Sequence, residues 1–435
     1  MSTRAALLQG WATSRRGAAV GLGLLLTYTV VHFLYSGLYA PVTRHRYVGQ
    51  FVEELEPLKR ALETGDRVRV TNPRQYGPVF LFLSYPLTGI QDRESLADVL
   101  FAVNYVFIGA AFWLTVRACF RPRPSLLEWA LLAVLWLNFS PLYYLIAVRN
   151  VELWELALLA GALYAYRGGW RGMAGAAVAL ATLIKMLPAL FLFYFLWRDR
   201  RALAWAAGTL VVVLLLATAA FGPEMGIGYL PFLLTRALEP RSWAYAHFEN
   251  VALKGFIFKA FAGFRMEPGL LTFRQTELAW LAGVLAFLVQ GVGLLLLTRF
   301  ALRRRREGGE QAPHEWAVVL GTMLLISPLT AFEYSVLLLP GFTFAAWVLM
   351  RRPETLSSRA TLCLAGSYLL LGNFLPLSLV HYLPWWLLNG PLGNVQLTGD
   401  ESYKAYCLPT LGLALFMGFL VLWGRQKGAR EAAAA

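Results

Sequence analysis

Apolar runs of roughly 16 to 24 residues recur along nearly the whole chain, separated by short turns rich in arginine or proline. Runs of that length match the thickness of a bilayer rather than the depth of a soluble core. Ten of them, over residues 20–39, 97–116, 126–143, 151–166, 202–221, 278–297, 316–330, 334–350, 360–380 and 406–423, predict membrane-spanning helices. The expected fold class is therefore all-α: a polytopic integral membrane protein forming one domain over residues 1–435. No cleavage site separates the first run from Pro41, so it reads as a retained anchor with its N-terminus inside.

One stretch breaks the pattern. Between Arg167 and Arg201 an apolar segment is flanked by basic turns on both sides and interrupted by Lys185 and Pro188. A single crossing would expose one basic turn outside, so the segment predicts two half-length helices that dip in and return to the same face. The loops on the other face, residues 41–96, 222–277 and 381–405, are the places to look for function, while residues 425–435 form a cytoplasmic tail. In the first loop Phe51, Val52, Leu55, Leu58 and Leu62 fall at helical spacing and predict an interfacial helix, kinked at Pro57. Residues 76–90 are apolar but too short to span, and predict a second interfacial or re-entrant piece.

Composition agrees: of 435 residues 58% are hydrophobic, 14% aromatic and only 15% charged. With a mean hydropathy of +0.54, soluble, disordered and fibrous classes are excluded. The net charge of +14 would fit a nucleic-acid binder. In the predicted topology, however, the excess lies almost entirely in the cytoplasmic turns, densest at Arg303 to Arg306, where the positive-inside rule and anionic headgroups account for it. The three cysteines, Cys119, Cys363 and Cys407, form no CxxC pair.

The signatures of soluble enzymes are missing: the sequence contains no P-loop, GxGxxG, HExxH or GxSxG. What remains are ionisable groups placed where a membrane makes them expensive. Lys185, in Leu180-Ala-Thr-Leu-Ile-Lys-Met-Leu-Pro188, is either a phosphate-binding cation facing a cavity or an amine paired with a neighbouring carboxylate. Arg149, Asn150 and Glu152 open an apolar helix at the outer side, where an arginine fork and free N–H groups either suit an anion or sugar hydroxyls or simply anchor the helix end. Arg241, His247, Asn250 and Lys254 mix with aromatic residues in the second outer loop, as in a carbohydrate site or an interfacial belt. Glu333 lies in a very short outer turn. The paired Glu53 and Glu54 face the same side, and are either a solvated helix face or candidate general bases. No Asp-x-Asp or histidine cluster offers a metal site, and neither metal nor cofactor is expected.

Three segments together resemble glycosyltransferase family 87, the polyprenyl-phosphate-mannose-dependent mannosyltransferases of GT-C fold. They are Gln75-Tyr-Gly-Pro-Val-Phe-Leu-Phe-Leu-Ser-Tyr-Pro-Leu87; Asn150 to Glu152 with Arg167-Gly-Gly-Trp-Arg171 and Ile184-Lys-Met-Leu-Pro188; and Asn250-Val-Ala-Leu-Lys-Gly255 followed by Ser327-Pro328 and Glu333-Tyr334. The resemblance implies transfer of a hexose, mannose, from a polyprenyl-phosphate sugar to a lipid-linked or envelope glycan acceptor, inverting and without metal. It also implies a plasma (inner) membrane location, both termini cytoplasmic and the active site facing outward. In its terms Lys185 holds the donor phosphate; beside it Arg149 is read as a second cation for that phosphate, and Tyr76, Asn150, Glu152, Arg241, His247, Asn250 and Lys254 as the substrate site. Two positions depart from the family pattern: its catalytic aspartate falls at Gln50 or Phe51, and its histidine before the tyrosine is Glu333. The base then falls to Glu54 or Glu53, next Glu333, and last Asp66. A GT-C-like lipid or glycan binder without catalysis, a transporter, and a flippase or ligase for lipid-linked glycans remain open as alternatives.

Overall fold

The computed structural model describes residues 15–43, 55, 77–223, 226–229, 231, 250–261, 263–267, 270–274, 278–307, 312–372 and 407–434, and the account that follows is of these. The first anchor is helix α1 (Arg15–His32), which runs on through a π-helical stretch, Phe33–Tyr39, to Ala40–Thr43. The chain then gives α2 (Pro78–Ser84), α3 (Arg93–Cys119), α4 (Leu126–Leu137), α5 (Ser140–Val148), α6 (Glu152–Arg167), α7 (Arg171–Ile184), α8 (Ala189–Arg198) and α9 (Arg200–Phe221). After these come α10 (Leu253–Phe261), α11 (Ala279–Glu307), α12 (Ala312–Ile326), α13 (Leu339–Arg351), α14 (Ser358–Gly372) and α15 (Leu408–Ala434). A short antiparallel hairpin, β1 (Gly263–Glu267) and β2 (Leu270–Arg274), follows α10 with Arg265 opposite Thr272.

Among the described residues six helices are long and apolar enough to cross a membrane, and seven if the bent pair α4–α5 counts as one. The ten runs of the sequence map onto these and onto shorter helices. α4 and α5 meet at 60°, at Asn138–Phe139 before Ser140-Pro141. α6 and α12 have 16 and 15 residues and are almost wholly buried among neighbours, so protein rather than lipid covers them. The run 360–380 extends past Gly372, outside the described residues, as do Phe51, Val52, Pro57, Leu58 and Leu62 of the interfacial helix. Of that helix only Leu55 is described; it is fully buried in the main core. The short piece at 76–90 is α2 followed by a 3-10 turn, Tyr85–Gly89, with Pro78 at the first helical position, where its missing N–H is harmless.

The broken segment folds back as the basic turns require. α7 ends at Lys185, whose backbone is extended (φ −139°, ψ 145°), and α8 begins after Pro188. At the base of the two arms Arg171 Nε lies 3.3 Å from Asp199 Oδ2. Asp199 then caps α9 by accepting from the N–H groups of Arg201 and Ala202 at 3.1 Å, so one carboxylate closes the hairpin and starts the next helix. The arms go deep: 14 residues at 1.5 Å each make α7 about 21 Å long. Its tip reaches the level of Glu152, at the far end of α6.

Lipid is as apolar as leucine, so helices in a membrane associate by close packing rather than by escape from water. Small residues supply that packing where α7 meets α9: Ala174, Gly175, Ala202 and Ala206 are all fully buried. A Cβ on Gly175 would lie 2.1 Å from the carbonyl oxygen of Ala202. α8 packs through aromatic rings instead, with Phe191 4.7 Å and Phe195 6.0 Å from Trp316 on α12, and Tyr166 on α6 5.2 Å from the same indole.

The arginine-bearing helix ends gather at one end of the bundle and are tied there by charge. Arg198 Nε donates to Glu315 Oε2 at 2.9 Å, and Tyr194 donates to the same carboxylate, which is 1% exposed. Arg351 grips Glu128 at 2.5 and 2.7 Å, and Glu128 also closes a capping box with Ser125 at the start of α4. The hairpin tip, Asn150, Asn250 and the strap between α12 and α13 lie at the opposite end.

Candidate active site

At this opposite end the segment after α5 turns sharply. Arg149 closes α5 in the left-handed region (φ 53°, ψ 39°), and the N–H groups of Arg149 and Asn150 turn back onto Ile146 O and Leu145 O to cap the helix. Arg149 Nη1 donates to Ala147 O at 2.7 Å, and its Nη2 to Pro41 O at 3.1 Å, which ties the segment Ala40–Thr43 at the end of the first anchor to α5. Asn150 accepts from Val151 N at 2.7 Å through Oδ1, and its carbonyl accepts from Asn104 Nδ2 at 3.4 Å. Asn104 in turn accepts from Trp154 Nε1 at 2.8 Å. This polar lacing lets the chain leave α5 and start α6 with its first residue, Glu152, fully buried.

Glu152 is paired with Lys185. The ammonium, brought by the hairpin tip, donates to Glu152 Oε1 and to the Tyr334 hydroxyl at 2.9 Å, and lies 4.6 Å from the centre of the Tyr334 ring. Lys185 itself is 8% exposed. Of the two readings open for Lys185, the structure contains the paired amine. α2 holds the tip from one side: Gly77 N donates to Ile184 O at 2.9 Å. Any Cβ at Gly77 would fall 2.2 Å from Leu183 O and 2.9 Å from the Tyr229 ring, so only glycine permits this approach. Tyr229 is 2% exposed, and burial pushes its phenol above the usual range while Lys185 pulls the other way.

Glu155 is the residue that sequence reasoning missed. One turn after Glu152 on α6, it is fully buried, and neither of its carboxyl oxygens has a hydrogen-bond partner among the described residues. Glu152 Oε2 has none either. An unsatisfied buried polar atom typically costs about 1–3 kcal/mol, so the cluster holds three such oxygens against its own packing. The signal was visible as a second acid three residues on in Glu152-Leu-Trp-Glu155, on the same helix face.

The strap between α12 and α13 carries Glu333 and Tyr334 in a 3-10 helix, Phe332–Leu338. Glu333 is half-buried beside the tyrosine that holds Lys185. Asn250 fixes the strap's approach: its Oδ1 accepts from Thr330 N and Ala252 N, both at 3.1 Å, while its Nδ2 donates to Pro328 O at 3.3 Å. Lys259 Nζ adds a bond to Asn250 O at 2.9 Å. Expected as a sugar ligand, Asn250 is fully buried and already engaged on both side-chain atoms. Lys254, on α10 next to this knot, is half-buried, and burial pushes its amine down to about 8.

The structure therefore brings together Arg149, Asn150, Glu152 and Lys185, with Glu333 and Asn250 on the adjoining strap and its anchor. Glu53, Glu54, Asp66, Tyr76, Arg241 and His247 lie outside the described residues. Among the described residues no three His, Cys, Asp or Glu side chains lie together as a metal site.

Compared with known proteins, the chain matches glycosyltransferase family 87 over residues 75–328. None of the curated proteins matches it. The matched region takes in more than half of the chain, including Gly77, Arg149, Glu152, Lys185 and Asn250. It follows that the chain belongs to glycosyltransferase family 87 and that the protein is a membrane glycosyltransferase.

Proposed function

We propose that the protein transfers a hexose, mannose, from a polyprenyl-phosphate sugar to a lipid-linked or envelope glycan acceptor, within a GT-C arrangement of helices. The observation that carries this reading is the re-entrant hairpin, which delivers Lys185 to the end of the bundle opposite the arginine turns, against Glu152 and Tyr334. Broken helices at membrane depth line protein or a cavity, and their tips are where polar ligands bind. A lipid phosphate leaves without a nucleotide, so cations in a water-poor site suffice to stabilise it and no metal is demanded. By the positive-inside rule the arginine end is cytoplasmic, which puts both termini inside and the site on the outer face of the plasma membrane. Direct displacement of the phosphate by an acceptor hydroxyl inverts the anomeric centre. Glu53, Glu54 and Glu333 are the carboxylates proposed to take that hydroxyl's proton.

Purified protein in liposomes, given radiolabelled polyprenyl-phosphate mannose and mixed glycolipid acceptors, tests the reading. Labelled product of inverted configuration, formed equally with a chelator present, is the expected result. Transfer only from a nucleotide sugar would sink it. Donor binding without transfer would make the protein a catalytically altered binder, as the glutamine or phenylalanine at the family's aspartate position would allow.

A further inference from the structure

Two cations were expected to share the donor phosphate, and the structure treats them differently. Lys185 is neutralised by Glu152 and hydrogen-bonded to Tyr334. Arg149, 4% exposed, has no carboxylate within ion-pair distance among the described residues. Among the described residues its side chain meets two backbone carbonyls, those of Ala147 and Pro41, and the Phe101 ring at 6.0 Å. The exposed Asp98 acts on it only at a distance. Nε is buried without an acceptor among the described residues.

A guanidinium has five N–H groups in a rigid fork, so the two carbonyls take one edge-forming hydrogen each and leave Nε and further Nη hydrogens unmatched. Carbonyls at a helix C-terminus soften a buried charge but do not cancel it. The backbone at Arg149 is left-handed because it closes α5, with Arg149 N donating to Ile146 O at 3.3 Å and Asn150 N to Leu145 O at 3.0 Å, and this fixes where the side chain leaves the helix. A buried, clamped and uncompensated fork is complementary to an oxyanion with two adjacent oxygens.

We propose that Arg149, not Lys185, is the principal cation for the lipid-linked phosphate, with Pro41 and Ala147 fixing the fork. The inference rests on the polyprenyl-phosphate reading above. It places the phosphate where the first anchor ends, ahead of the loop that carries Glu53 and Glu54, while the Lys185–Glu152 pair holds the hairpin tip. The anion is a phosphate ester on a lipid; a bulk headgroup phosphate is the other source of the same chemistry, and the test separates the two.

The full-length protein in nanodiscs is titrated with a short-chain polyprenyl monophosphate, and separately with phosphatidylglycerol. Arg149→Gln is expected to weaken polyprenyl phosphate binding roughly ten- to a hundredfold. The double variant Lys185→Met/Glu152→Gln, which removes the pair without stranding a charge, is expected to weaken binding by a factor at least about threefold smaller than Arg149→Gln does. Should Arg149→Gln fail to fold, Arg149→Lys keeps the charge but not the fork, and a loss of about tenfold is expected. Unchanged binding by the Arg149 variants, or an equal loss in the double variant, would overturn the proposal. So would phosphatidylglycerol competing as well as the polyprenyl phosphate. Failure of the parent itself to bind polyprenyl phosphate strikes the donor reading and this inference with it, an outcome distinct from a silent Arg149.

Discussion

At the scale of single residues the tip of the re-entrant hairpin is governed by pairing. Removing one member of a buried ion pair strands the other, and typically costs about 3–5 kcal/mol, whereas removing both is often neutral. Lys185→Met therefore should lower the unfolding free energy by several kcal/mol, and Lys185→Met/Glu152→Gln should recover most of it. Thermal unfolding followed by tryptophan fluorescence reads both; additive losses would show that the two side chains are not coupled. Lys254 supplies a pH dependence. Burial pushes its amine down to about 8, so the ammonium proposed to face an anionic substrate disappears as pH rises through that value. Because the folded protein binds this proton more weakly than the unfolded chain, whose lysines titrate near 10.5, stability rises between about pH 8 and 10.5, and unfolding does not explain a loss of transfer there. Transfer should fall above about pH 8, and Lys254→Arg should carry that limb upward; an unmoved limb assigns it elsewhere. Lys185 was legible because a charge inside an apolar run stands out. Its partner was not, because Glu152 and Lys185 are joined only when the hairpin folds back, and no spacing in a linear chain encodes that meeting.

At the scale of elements the basic turns on either side of one apolar stretch revealed the hairpin, since arginine has a side preference that hydrophobicity lacks. Helix lengths were less legible. α6 and α12 fall short of a full crossing, and what permits this is the shell of neighbouring helices, a property of the packed bundle and not of either segment. The seat of α7 on α9 depends on Gly175. Gly175→Leu drives a side chain into the backbone of Ala202, where no rotamer can relieve it, and should destabilise by about 1–3 kcal/mol or more. Its effect should reach the tip as well, with a cysteine placed at Met186 changing its rate of labelling; an unaltered rate and unfolding midpoint would mean that the two helices separate without consequence.

At the scale of the whole molecule, the two ends of the bundle differ in kind. The arginine end is closed by carboxylate bridges, Arg198 to Glu315 and Arg351 to Glu128, and the opposite end by backbone and amide hydrogen bonds around Asn250 and Asn150 with one buried ion pair. Cysteines introduced at Gly169 and Asp199 should label from the same side of a sealed vesicle; labelling from opposite sides would make the segment an ordinary span.

The contact between Arg171 and Asp199 also bears on how the chain alternates between compartments. A stretch whose ends touch adds nothing to the parity of crossings, however deep it goes. Deleting residues 172–198 and joining the two ends should leave every later helix pointing as before, with a reporter fused after Ala434 still read on its original side. The segment that carries the lysine is thus an insert in the topology of the chain: the odd–even alternation that orients α9 to α15 runs past it undisturbed, free of whatever happens to its length or its tip.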